Sequence, residues 1–467
     1  MTNEPREACD AVVVGGGIAG AAAALALADA GRRVTLVESR SRLGGLAFSF
    51  RRGELTVDNG QHVHLRCCTA YRRLLDRIGG GALAPLQKRL DVPVLDAGHS
   101  RGPRLGRLRR TALPVPLHLA GSLAGYPHLP LADRARVARA ALALRTLDPA
   151  DPALDATDFG TWLRANGQSP RAVAALWDLV GRATLNATAD HVSLGLAAMV
   201  FRTGLLSEPG AADIGWSRAP LGDLHDTLTR AALDRAGVRT RLRTRVTEIK
   251  RTADRWHVGC ASGPHGTEQP LEARTVVLAV PQHEAHALLP DGVLDDPGRL
   301  LRIGNAPILN VHVVYDRKVL RRPFFAALGT PVQWVFDRTA ASGLAGGGQY
   351  LALSQSAAHD EIDEPVAVLR GRYLPELERL LPAARGAQVH DFFVTRERTA
   401  TFAPAPGVGR LRPAGRTRAP GFFLAGAWTD TGWPATMEGA VRSGLQAADA
   451  ALRDLGRPHD KPLQEAV

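Results

Sequence analysis

The sequence predicts an α/β protein in which a Rossmann-type dinucleotide-binding domain is interrupted by an inserted α+β substrate domain. Three observations lead to this fold class. A strand–turn–helix–strand unit occupies Ala11–Gly45, near the start of the chain. Strand-like sequence returns at 238–280, and a closing strand–turn–helix block covers 421–456. Because parallel strands need long crossover connections, we expect these separated blocks to join one sheet, with the inserted domain between them.

The first block has the pattern of a phosphate-binding βαβ unit. Ala11–Val14 is a largely β-branched run suited to a buried strand. Ala21–Ala30 is strong helix sequence, with Gly31 placed as its C-cap. Val34–Val37 gives a second strand, and Glu38 stands at its end. The turn between strand and helix carries the G-x-G-x-x-G pattern, formed by Gly15, Gly17 and Gly20.

These residues fit the chemistry of a dinucleotide. Glycines permit a tight turn and the close approach of a pyrophosphate, whose charge meets free N–H groups at the helix start. Glu38 follows the last glycine by 18 residues and is placed to accept hydrogen bonds from a ribose. Because no downstream arginine replaces Glu38, we expect an unphosphorylated ribose, which leaves FAD and NAD as the alternatives.

Length and composition are those of a multidomain enzyme. At 467 residues the chain is expected to form two or three domains. The net charge of +12 indicates either a solvated basic surface or attraction to an anionic membrane or a phosphate-bearing ligand. Aromatic residues make up 5% of the chain and do not interleave with basic ones, so no nucleic-acid partner is expected.

The cysteines predict a reducing environment. Cys9, Cys67, Cys68 and Cys260 have neither the spacing of a zinc site nor that of a disulfide framework. We therefore predict no metal site and a cytoplasmic location. Residues 11–30 are long and apolar, but three consecutive glycines and Asp29 argue against a membrane span or a signal peptide.

The rest of the chain is divided by its composition. The nucleotide-binding domain is assigned to 1–90, 226–300 and 416–455, the substrate domain to 91–225 and 301–415, and a flexible tail to 456–467. Helical structure is predicted at 70–90, 131–205 and 363–382. Strands are predicted at 308–316, 349–356 and Phe422–Leu424, and a hairpin within 48–58.

Two segments leave alternatives open. The polar stretch 58–62 follows the hairpin and is interpreted either as a surface turn or as one wall of an active site. Residues 101–131 join a basic run to an apolar run that prolines interrupt, which excludes a continuous membrane helix. This segment is either a monotopic patch with arginines at lipid headgroups or a packed part of the substrate domain.

The two ends of the chain together resemble the FAD-dependent amine oxidase and phytoene desaturase superfamily. VVVGGGIAG and LVESRSRLGG stand at one end, and LAGAWTDTGWPATMEGAVRSG stands at the other. More narrowly, the sequence resembles the hydroxysqualene dehydroxylase family, also called squalene-associated FAD-dependent desaturases. This resemblance rests on VDNGQHV (57–63), LN (185–186), APLGDL (219–224), QWVFDR (333–338), TRERTATFAP (395–404) and TGWPATMEGAVRSG (431–444).

The resemblance implies FAD as the cofactor, so the choice between FAD and NAD falls to FAD. The implied FAD-binding residues are Gly15, Gly17, Gly20, Glu38, Arg40, Arg42, Gly44, Gly45, Val246, Gly426, Ala427, Thr436 and Met437. Backbone N–H groups of Met437 and Glu438 are expected to stabilise negative charge on the reduced flavin. The Glu438 carboxylate is expected at least to complement the helix dipole. Leu46 and Ala427 replace an arginine and an aspartate that are frequent in the superfamily, and each costs one charged hydrogen bond.

The resemblance also implies a reaction. Members of the family convert hydroxysqualene to squalene, with reduced flavin as the hydride donor, in hopanoid-type synthesis. An apolar isoprenoid substrate, an unidentified electron donor and peripheral contact with the inner face of the membrane follow from it. His62, or a water held by Gln61 and His62, is the candidate for assisting departure of the hydroxyl group. The alternative for His62 is that it only shapes the flavin edge. The alternatives for the whole protein are a carotenoid desaturase, an amine oxidase or a flavin protein without turnover.

Overall fold

The structure is a computed structural model that describes residues 8–99, 102–262 and 266–456. Its strands are β1 (Ala8–Val14), β2 (Val34–Val37), β3 (Ser49–Arg52), β4 (Leu55–Asp58), β5 (Val63–Leu65), β6 (Asp91–Asp96), β7 (Arg104–Arg109), β8 (Ile214–Trp216), β9 (Arg239–Arg241), β10 (Thr244–Thr252), β11 (Arg255–Ser262), β12 (Gly266–Leu278), β13 (Asn305–Tyr315), β14 (Phe324–Leu328), β15 (Trp334–Asp337), β16 (Gln349–Ser356), β17 (Val389–Phe402) and β18 (Phe422–Leu424).

Its α-helices are α1 (Ile18–Asp29), α2 (Thr69–Ile78), α3 (Ala120–Ala124), α4 (Leu131–Thr146), α5 (Pro152–Asp155), α6 (Phe159–Ala165), α7 (Pro170–Ala172), α8 (Asp178–Leu185), α9 (Leu194–Phe201), α10 (Thr229–Arg235), α11 (Gln282–Leu288), α12 (Arg299–Arg302), α13 (Thr339–Ser342), α14 (Val366–Leu380) and α15 (Met437–Asp454). Turns of π-helix at Val173–Trp177, Arg202–Leu206 and Asp223–Leu228 continue neighbouring helices. Short 3-10 turns lie at Gly81–Leu83, Leu117–Leu119, Ala189–His191, Pro382–Ala384 and Gly409–Leu411.

A mostly parallel sheet joins three distant blocks of the chain. Its strand order is β10-β11-β12-β1-β2-β9, and β18 pairs with β12. β1 runs parallel to both β12 and β2, so that Val12 lies opposite Val276 and Thr35. β10 and β11 extend this sheet as an antiparallel hairpin. Because its parallel neighbours come from the start, middle and end of the chain, the sheet forms only when all three blocks meet.

A second sheet is built from the intervening sequence. Its strand order is β17-β13-β16-β15-β14-β6-β7, and most neighbouring strands are antiparallel. The buried side chains of α14, among them Leu369 and Tyr373, pack in the same hydrophobic cluster as the sheet. The helical segment α4–α9 has its own aromatic centre, where the rings of Phe159, Trp177 and Phe201 lie 5.1–5.7 Å apart. The second sheet and the helices thus lie beside the first sheet, and this aromatic centre belongs to a hydrophobic cluster that also includes Val12 of β1 and Val94 of β6.

Helix α1 is buried nearly all round, which explains its alanine-rich sequence. Its buried side chains run from Ala19 to Leu27, with no polar stripe among them. Helix α15 packs directly against it. A Cβ at Gly444 would overlap the carbonyl group of Ala19, so glycine at that position permits the close approach of the two helices.

Most predicted elements are confirmed, including the hairpin, the 238–280 strands and the closing strand and helix. The prediction of helical structure across 70–90 is wrong beyond Ile78. Helix α2 ends there because Gly79 adopts a left-handed φ of +81° and Gly80 follows it. Residues 457–467 of the predicted tail lie outside the described residues.

Segment 101–131 has no long helix where it is described. β7 pairs with β6 at the edge of the second sheet, and the apolar run forms the Leu117–Leu119 turn and α3. No helix among residues 8–99, 102–262 and 266–456 is both long and apolar enough to cross a bilayer.

Candidate active site

The glycine-rich turn after β1 leaves backbone donors unpaired. Gly15 has a φ of +105°, and a Cβ at Gly20 would overlap its carbonyl oxygen, so the helix begins close to the strand. Gly17 is the N-cap of α1 and provides no side chain to cap it. Within the described residues the following N–H groups have no acceptor: Ile18, Ala19 and Gly20. This arrangement suits a pyrophosphate.

Glu38 is held at the edge of this turn. Its carboxylate is 9% exposed and accepts hydrogen bonds from the N–H groups of Gly16 and Arg40, both at 2.7 Å. The Ser39 hydroxyl also donates to this carboxylate, at 3.2 Å. A carboxylate has about four acceptor positions, so one remains for a ribose hydroxyl. The Glu38 carbonyl accepts the Thr244 N–H at 3.0 Å, which brings the start of β10 to the same place. Val246 follows at a bulge in the β10–β11 ladder.

The second glycine pair closes the cradle from the other side. Gly44 and Gly45 have φ values of +92° and +57°, and the Gly44 N–H donates to the Gly16 carbonyl at 2.9 Å. A Cβ at Gly45 would come within 2.9 Å of the Gly17 Cα. The two turns therefore touch through backbone alone, and larger residues at these positions would separate them.

Arg42 braces the second turn. Its Nη1 donates to the Gly45 carbonyl at 3.0 Å, and its guanidinium carbon lies 3.6 Å from the centroid of the Phe48 ring. Burial lowers the pKa of Arg42. Arg40 contributes its backbone, which donates to Glu38, and its side chain is exposed. Leu46 is 45% exposed beside them, at the position where the superfamily often has arginine.

The C-terminal block supplies a second open helix start. Gly426 has a φ of +143°, and its N–H donates to Ser443 Oγ at 2.8 Å. Thr436 is the N-cap of α15, and its hydroxyl accepts the Gly439 N–H at 3.1 Å. That single cap satisfies one donor of the first turn. In the part of the chain that the structure describes, no acceptor meets the N–H groups of Met437 and Glu438.

The Glu438 carboxylate serves a neighbouring helix. It is 1% exposed and accepts hydrogen bonds from the N–H groups of Ala70 and Tyr71, at 3.1 and 2.7 Å, in the first turn of α2. Arg442 compensates its charge at 2.7 Å. The carboxylate therefore caps α2 and ties it to α15, while its backbone N–H remains available at the helix start.

Arg412 holds the C-terminal turn and has no counterpart among the predicted residues. Its side chain, on a residue 4% exposed, donates to the carbonyls of Thr429 and Trp433 at 2.5 and 2.8 Å. A longer contact of 3.3 Å reaches the Ala427 carbonyl. Burial lowers the pKa of Arg412 to about 10. Nothing in the local pattern around Arg412 marks this role, because its partners lie 15 or more residues away.

The donor set fits FAD. Two helix starts, whose first N–H groups have no acceptor among the described residues, converge from opposite ends of the chain. Glycine backbone lines the turns between them, and a buried carboxylate stands at the ribose end of the cradle. The groups that would hold FAD are those backbone N–H donors and Glu38. Because Leu46 stands where the superfamily often has arginine, the cradle has no basic side chain at that position.

A buried ion pair lies beside the stretch 58–62. Asp58 and Arg338 pair at 2.7 Å, with side chains 6% and 7% exposed. Asp58 also accepts the Leu221 N–H at 2.9 Å, and Arg338 donates to the Ser217 carbonyl at 2.5 Å. Of the motifs that carry the resemblance, 57–63, 219–224 and 333–338 therefore meet in one network. The stretch 58–62 forms part of this interior wall, which disfavours the alternative of a surface turn.

His62 and Gln61 line a small cavity beside this pair. The cavity has a volume of about 10 Å³, room for one water molecule, and Trp216 and Phe336 form its apolar walls. Gln61 Nε2 is buried and has no hydrogen-bond partner among the described residues. Burial lowers the pKa of His62, with Asp58 opposing and Arg338 reinforcing the shift. His62 is therefore a neutral imidazole at pH 7.

Neutral histidines continue inward from the cavity. His225 bonds the Tyr71 hydroxyl at 3.1 Å, and burial lowers its pKa to about 3. The Tyr71 ring in turn lies 5.4 Å from the ring of His64, whose pKa burial lowers to about 4. This interior carries hydrogen-bonding groups without net charge on the imidazoles.

Asn59 connects the stretch 57–63 to strands β13 and β17. Its carbonyl accepts hydrogen bonds from Asn310 Nδ2 at 3.0 Å and Thr395 Oγ1 at 2.9 Å, and its amide donates to Glu397 at 3.1 Å. Asn186 bonds Thr401 at 2.9 Å further along β17. The structure thus brings 57–63 and 185–186 to different points along β17, which carries most of 395–404, although the three stretches are far apart in the chain.

The buried ion pair beside His62 was not predicted from the sequence. Asp58 and Arg338 stand in quoted motifs, so the signal was present in the stretches but not assigned to these side chains. Asn310 lies outside every quoted motif. Across the residues that the structure describes, no cluster of metal-ligating side chains occurs.

Comparison with known proteins places this geometry in a class of enzyme. A family model for flavin-containing amine oxidoreductases matches residues 18–452. The chain belongs to that family, and it is an FAD-dependent oxidoreductase with the family's FAD-binding fold.

Relatives and solved structures match along almost the whole chain. Hydroxysqualene dehydroxylases from Sinorhizobium fredii and Rhodopseudomonas palustris are 28% and 29% identical, covering 95% and 94% of this chain and 98% and 97% of theirs. Zeta-carotene desaturase from Synechocystis is 25% identical, covering 97% of this chain and 98% of its own. Putrescine oxidase bound to putrescine superposes with a TM-score of 0.70 at 20% identity, over 97% of this chain and 100% of that one, and shows the fold alone.

Proposed function

We propose that this enzyme removes the hydroxyl group of hydroxysqualene reductively and forms squalene. The observation that carries the proposal is the convergence of the motifs typical of hydroxysqualene dehydroxylases on the Asp58–Arg338 pair and the His62 cavity. The relatives from Sinorhizobium fredii and Rhodopseudomonas palustris are named hydroxysqualene dehydroxylase, and this chain matches them over nearly their full length.

The reaction exchanges a C–O bond for a C–H bond. The alcohol takes up two electrons and two protons, the C–O bond breaks, and the products are the hydrocarbon and water. FAD, when bound in its reduced state, supplies the hydride. The protein holds the pyrophosphate on the N–H groups of Ile18, Ala19 and Gly20, and the ribose on Glu38. The N–H groups of Met437 and Glu438 stabilise negative charge at the flavin end.

His62 and Gln61 assist departure of the hydroxyl group. A neutral imidazole donates or accepts a hydrogen bond without placing a full charge in an apolar site. The Gln61 amide is a donor that no other described side chain or carbonyl satisfies, and the cavity between Gln61 and His62 has the size of one water. In this proposal the pair holds a water that relays a proton from solvent to the leaving oxygen, and Asp58–Arg338 orients their loop.

The substrate class sets the surroundings. A polyisoprenoid is apolar, so we place the protein in the cytoplasm at the inner face of the membrane, with an electron donor still to be identified. Exposed Leu113 and Leu117, at 51% and 53%, would face the lipid in the monotopic alternative for 101–131. The domain division at 91–225 and 301–415 is retained as the proposed substrate domain, which supplies Trp216 and Arg338 to the cavity.

Product analysis tests the reaction. Protein loaded with FAD and reduced under anaerobic conditions is mixed with hydroxysqualene, and the lipids are extracted and identified by mass spectrometry. Formation of squalene supports the proposal. Oxidised protein mixed with phytoene or zeta-carotene tests the carotenoid alternative, which the Synechocystis relative favours. Desaturated carotenoid with no squalene would replace the proposal by that alternative.

A further inference from the structure

A basic cleft shares the side chain of Trp216 with the His62 cavity. The cleft has a volume of about 760 Å³, and Trp216 lines both spaces. Its cationic side chains are Lys88, Arg89, Arg109, Arg110 and Arg218, and Asp91 is the carboxylate among its lining residues. Clefts lined by one sign of charge concentrate the electrostatic potential and attract ligands of the opposite sign.

The backbone fixes these cations in place. Arg109 ends β7 and lies opposite Asp91, the first residue of β6, in the backbone ladder of the two strands. The Arg110 N–H donates to the Leu90 carbonyl at 3.2 Å, and its Nη2 donates to the Lys88 carbonyl at 3.2 Å. Arg218 follows β8 and holds its guanidinium 4.7 Å from the Trp216 ring centroid. The cleft is therefore formed by ordered segments and not by isolated surface side chains.

Some of the positive charge is already neutralised inside the protein. Arg110 and Arg66 both pair with the fully buried Asp213, at 2.5 and 2.8 Å. Asp91 faces Arg107, at 3.5 Å. Arg110 and Asp91, the carboxylate of the cleft, therefore already have partners of opposite charge.

The other cations have no internal counter-charge. Among the described residues, no carboxylate lies within ion-pair distance of Lys88, Arg89, Arg109 or Arg218, all of which are exposed. A cluster of unpaired cations around one concavity is the arrangement expected for a multiply charged anion.

We propose that this cleft is a binding site for a phosphate group, separate from the FAD cradle. One carboxylate brings one charge and would leave most of these cations uncompensated. A free diphosphate brings two or more charges with several acceptor oxygens, and an anionic lipid surface presents several singly charged phosphodiesters side by side. The planar guanidinium groups match phosphate oxygens in bidentate geometry. The phosphate comes either from an anionic lipid headgroup or from a free diphosphate. Exposed Leu105, Leu113 and Leu117 on the same segment suit the lipid source.

Charge removal within the cleft tests the proposal. The cleft variant is Arg89→Gln with Arg218→Gln. The matched control is Arg235→Gln with Arg274→Gln, which removes the same charge from exposed positions on α10 and β12. Because all four side chains are exposed, each change is expected to alter the free energy of unfolding by less than about 0.5 kcal/mol. Flavin content and the unfolding midpoint confirm that each variant is folded.

Two ligands are measured with the FAD-loaded protein, so that the FAD cradle is filled. Calorimetric titration with pyrophosphate tests the free ligand, and sedimentation with vesicles of phosphatidylglycerol, against phosphatidylcholine, tests the headgroup. We expect at least one of them to bind wild type and the control, with affinity reduced tenfold or more in the cleft variant. Pyrophosphate binding alone assigns a free ligand, and vesicle binding alone assigns a lipid headgroup. Absence of both, or equal losses in cleft and control variants, overturns the site; squalene formation is read separately and does not depend on it.

Discussion

The FAD cradle and the His62 cavity are built by opposite means. The cradle presents backbone N–H groups, glycine surfaces and one carboxylate, and its first half comes from the contiguous stretch Ala11–Gly45. The cavity wall presents a buried ion pair and a neutral imidazole, drawn from segments up to 280 residues apart, as Asp58 and Arg338 are. Backbone donors tolerate most side-chain changes, whereas a buried charge fails when its partner is removed.

Because of this difference, substitutions in the two regions are expected to affect different properties of the protein. The cradle depends on local conformation, so changes there are expected to act on FAD affinity with little effect on folding. The cavity depends on tertiary contacts that also join the β3–β4 hairpin to the end of β15 in the second sheet. Changes at Asp58 or Arg338 are therefore expected to act on the stability of the whole protein.

The largest expected effect is at the ion pair. Arg338→Met leaves the Asp58 carboxylate buried without a counter-charge, which typically costs about 3–5 kcal/mol of unfolding free energy. Urea unfolding of the FAD-loaded protein measures this loss. Arg398→Met is the control, because its pair with Asp363 is exposed at 60% and 75% and is expected to be worth less than about 1 kcal/mol. Equal losses in the two variants would show that the buried pair has no special role.

The next effect is at the ribose end of the cradle. Glu38→Gln keeps the shape of the side chain and removes its charge, so charged hydrogen bonds worth about 1.5–3 kcal/mol are weakened. We expect FAD to bind about 10- to 100-fold more weakly. Fluorescence titration of the protein with FAD measures the change. The exposed Glu248→Gln is the control, and an unchanged affinity in Glu38→Gln would remove Glu38 from the cradle.

A smaller effect follows from the buried histidines. Burial lowers the pKa of His225 to about 3, below its unfolded value near 6.5, so the unfolded chain binds the proton first. The contribution of His225 is fully present above pH 6.5 and is lost as pH falls toward its folded pKa, by about 1.4 kcal/mol per pH unit. His225→Gln should lower the slope of stability against pH by that amount between pH 5.5 and about 4. Unfolding curves across this range check it, with the exposed His283→Gln as the control.

The smallest effect is a gain. Leu46→Arg restores the arginine frequent in the superfamily beside the 45% exposed edge of the cradle. One added hydrogen bond is worth about 0.5–1.5 kcal/mol, so FAD should bind about two- to tenfold more tightly. The same fluorescence titration detects it, and Leu46→Gln separates charge from polarity. Weaker binding in Leu46→Arg would mean that the pyrophosphate does not lie near this position.

Local sequence predicted the backbone conformation of the cradle because each feature of that conformation has a short-range cause. Gly15, Gly17 and Gly20 act within one turn, and Thr436 caps the helix that it precedes. The helix proposed beyond Ile78 failed because Gly79 and Gly80 ended it, a stop signal that the hydrophobic pattern did not outweigh. Arg412 was not predictable, since its carbonyl partners are gathered only in the folded turn.

The cavity was only partly predictable. The motif stretches around Asp58 and Arg338 were visible, but which side chains pair depends on how β4 and β15 meet in space. Gln61 and His62 were selected from their position after a nucleotide-binding unit, and their roles stay predictions. The basic cleft forms where the segments next to β6, β7 and β8 meet. Its cations come from separate parts of the sequence and are brought together only in the folded protein.

The central claim is that the cradle and the cavity form one site. Stopped-flow absorbance of the anaerobically reduced, FAD-loaded protein tests it, with hydroxysqualene mixed into wild type and into His62→Phe. We expect the oxidised flavin spectrum to return in wild type as squalene forms, and to return about 100-fold or more slowly in His62→Phe, the size typical of a lost general acid–base group. Flavin that stays reduced in wild type, or equal rates in the two proteins, would contradict the account.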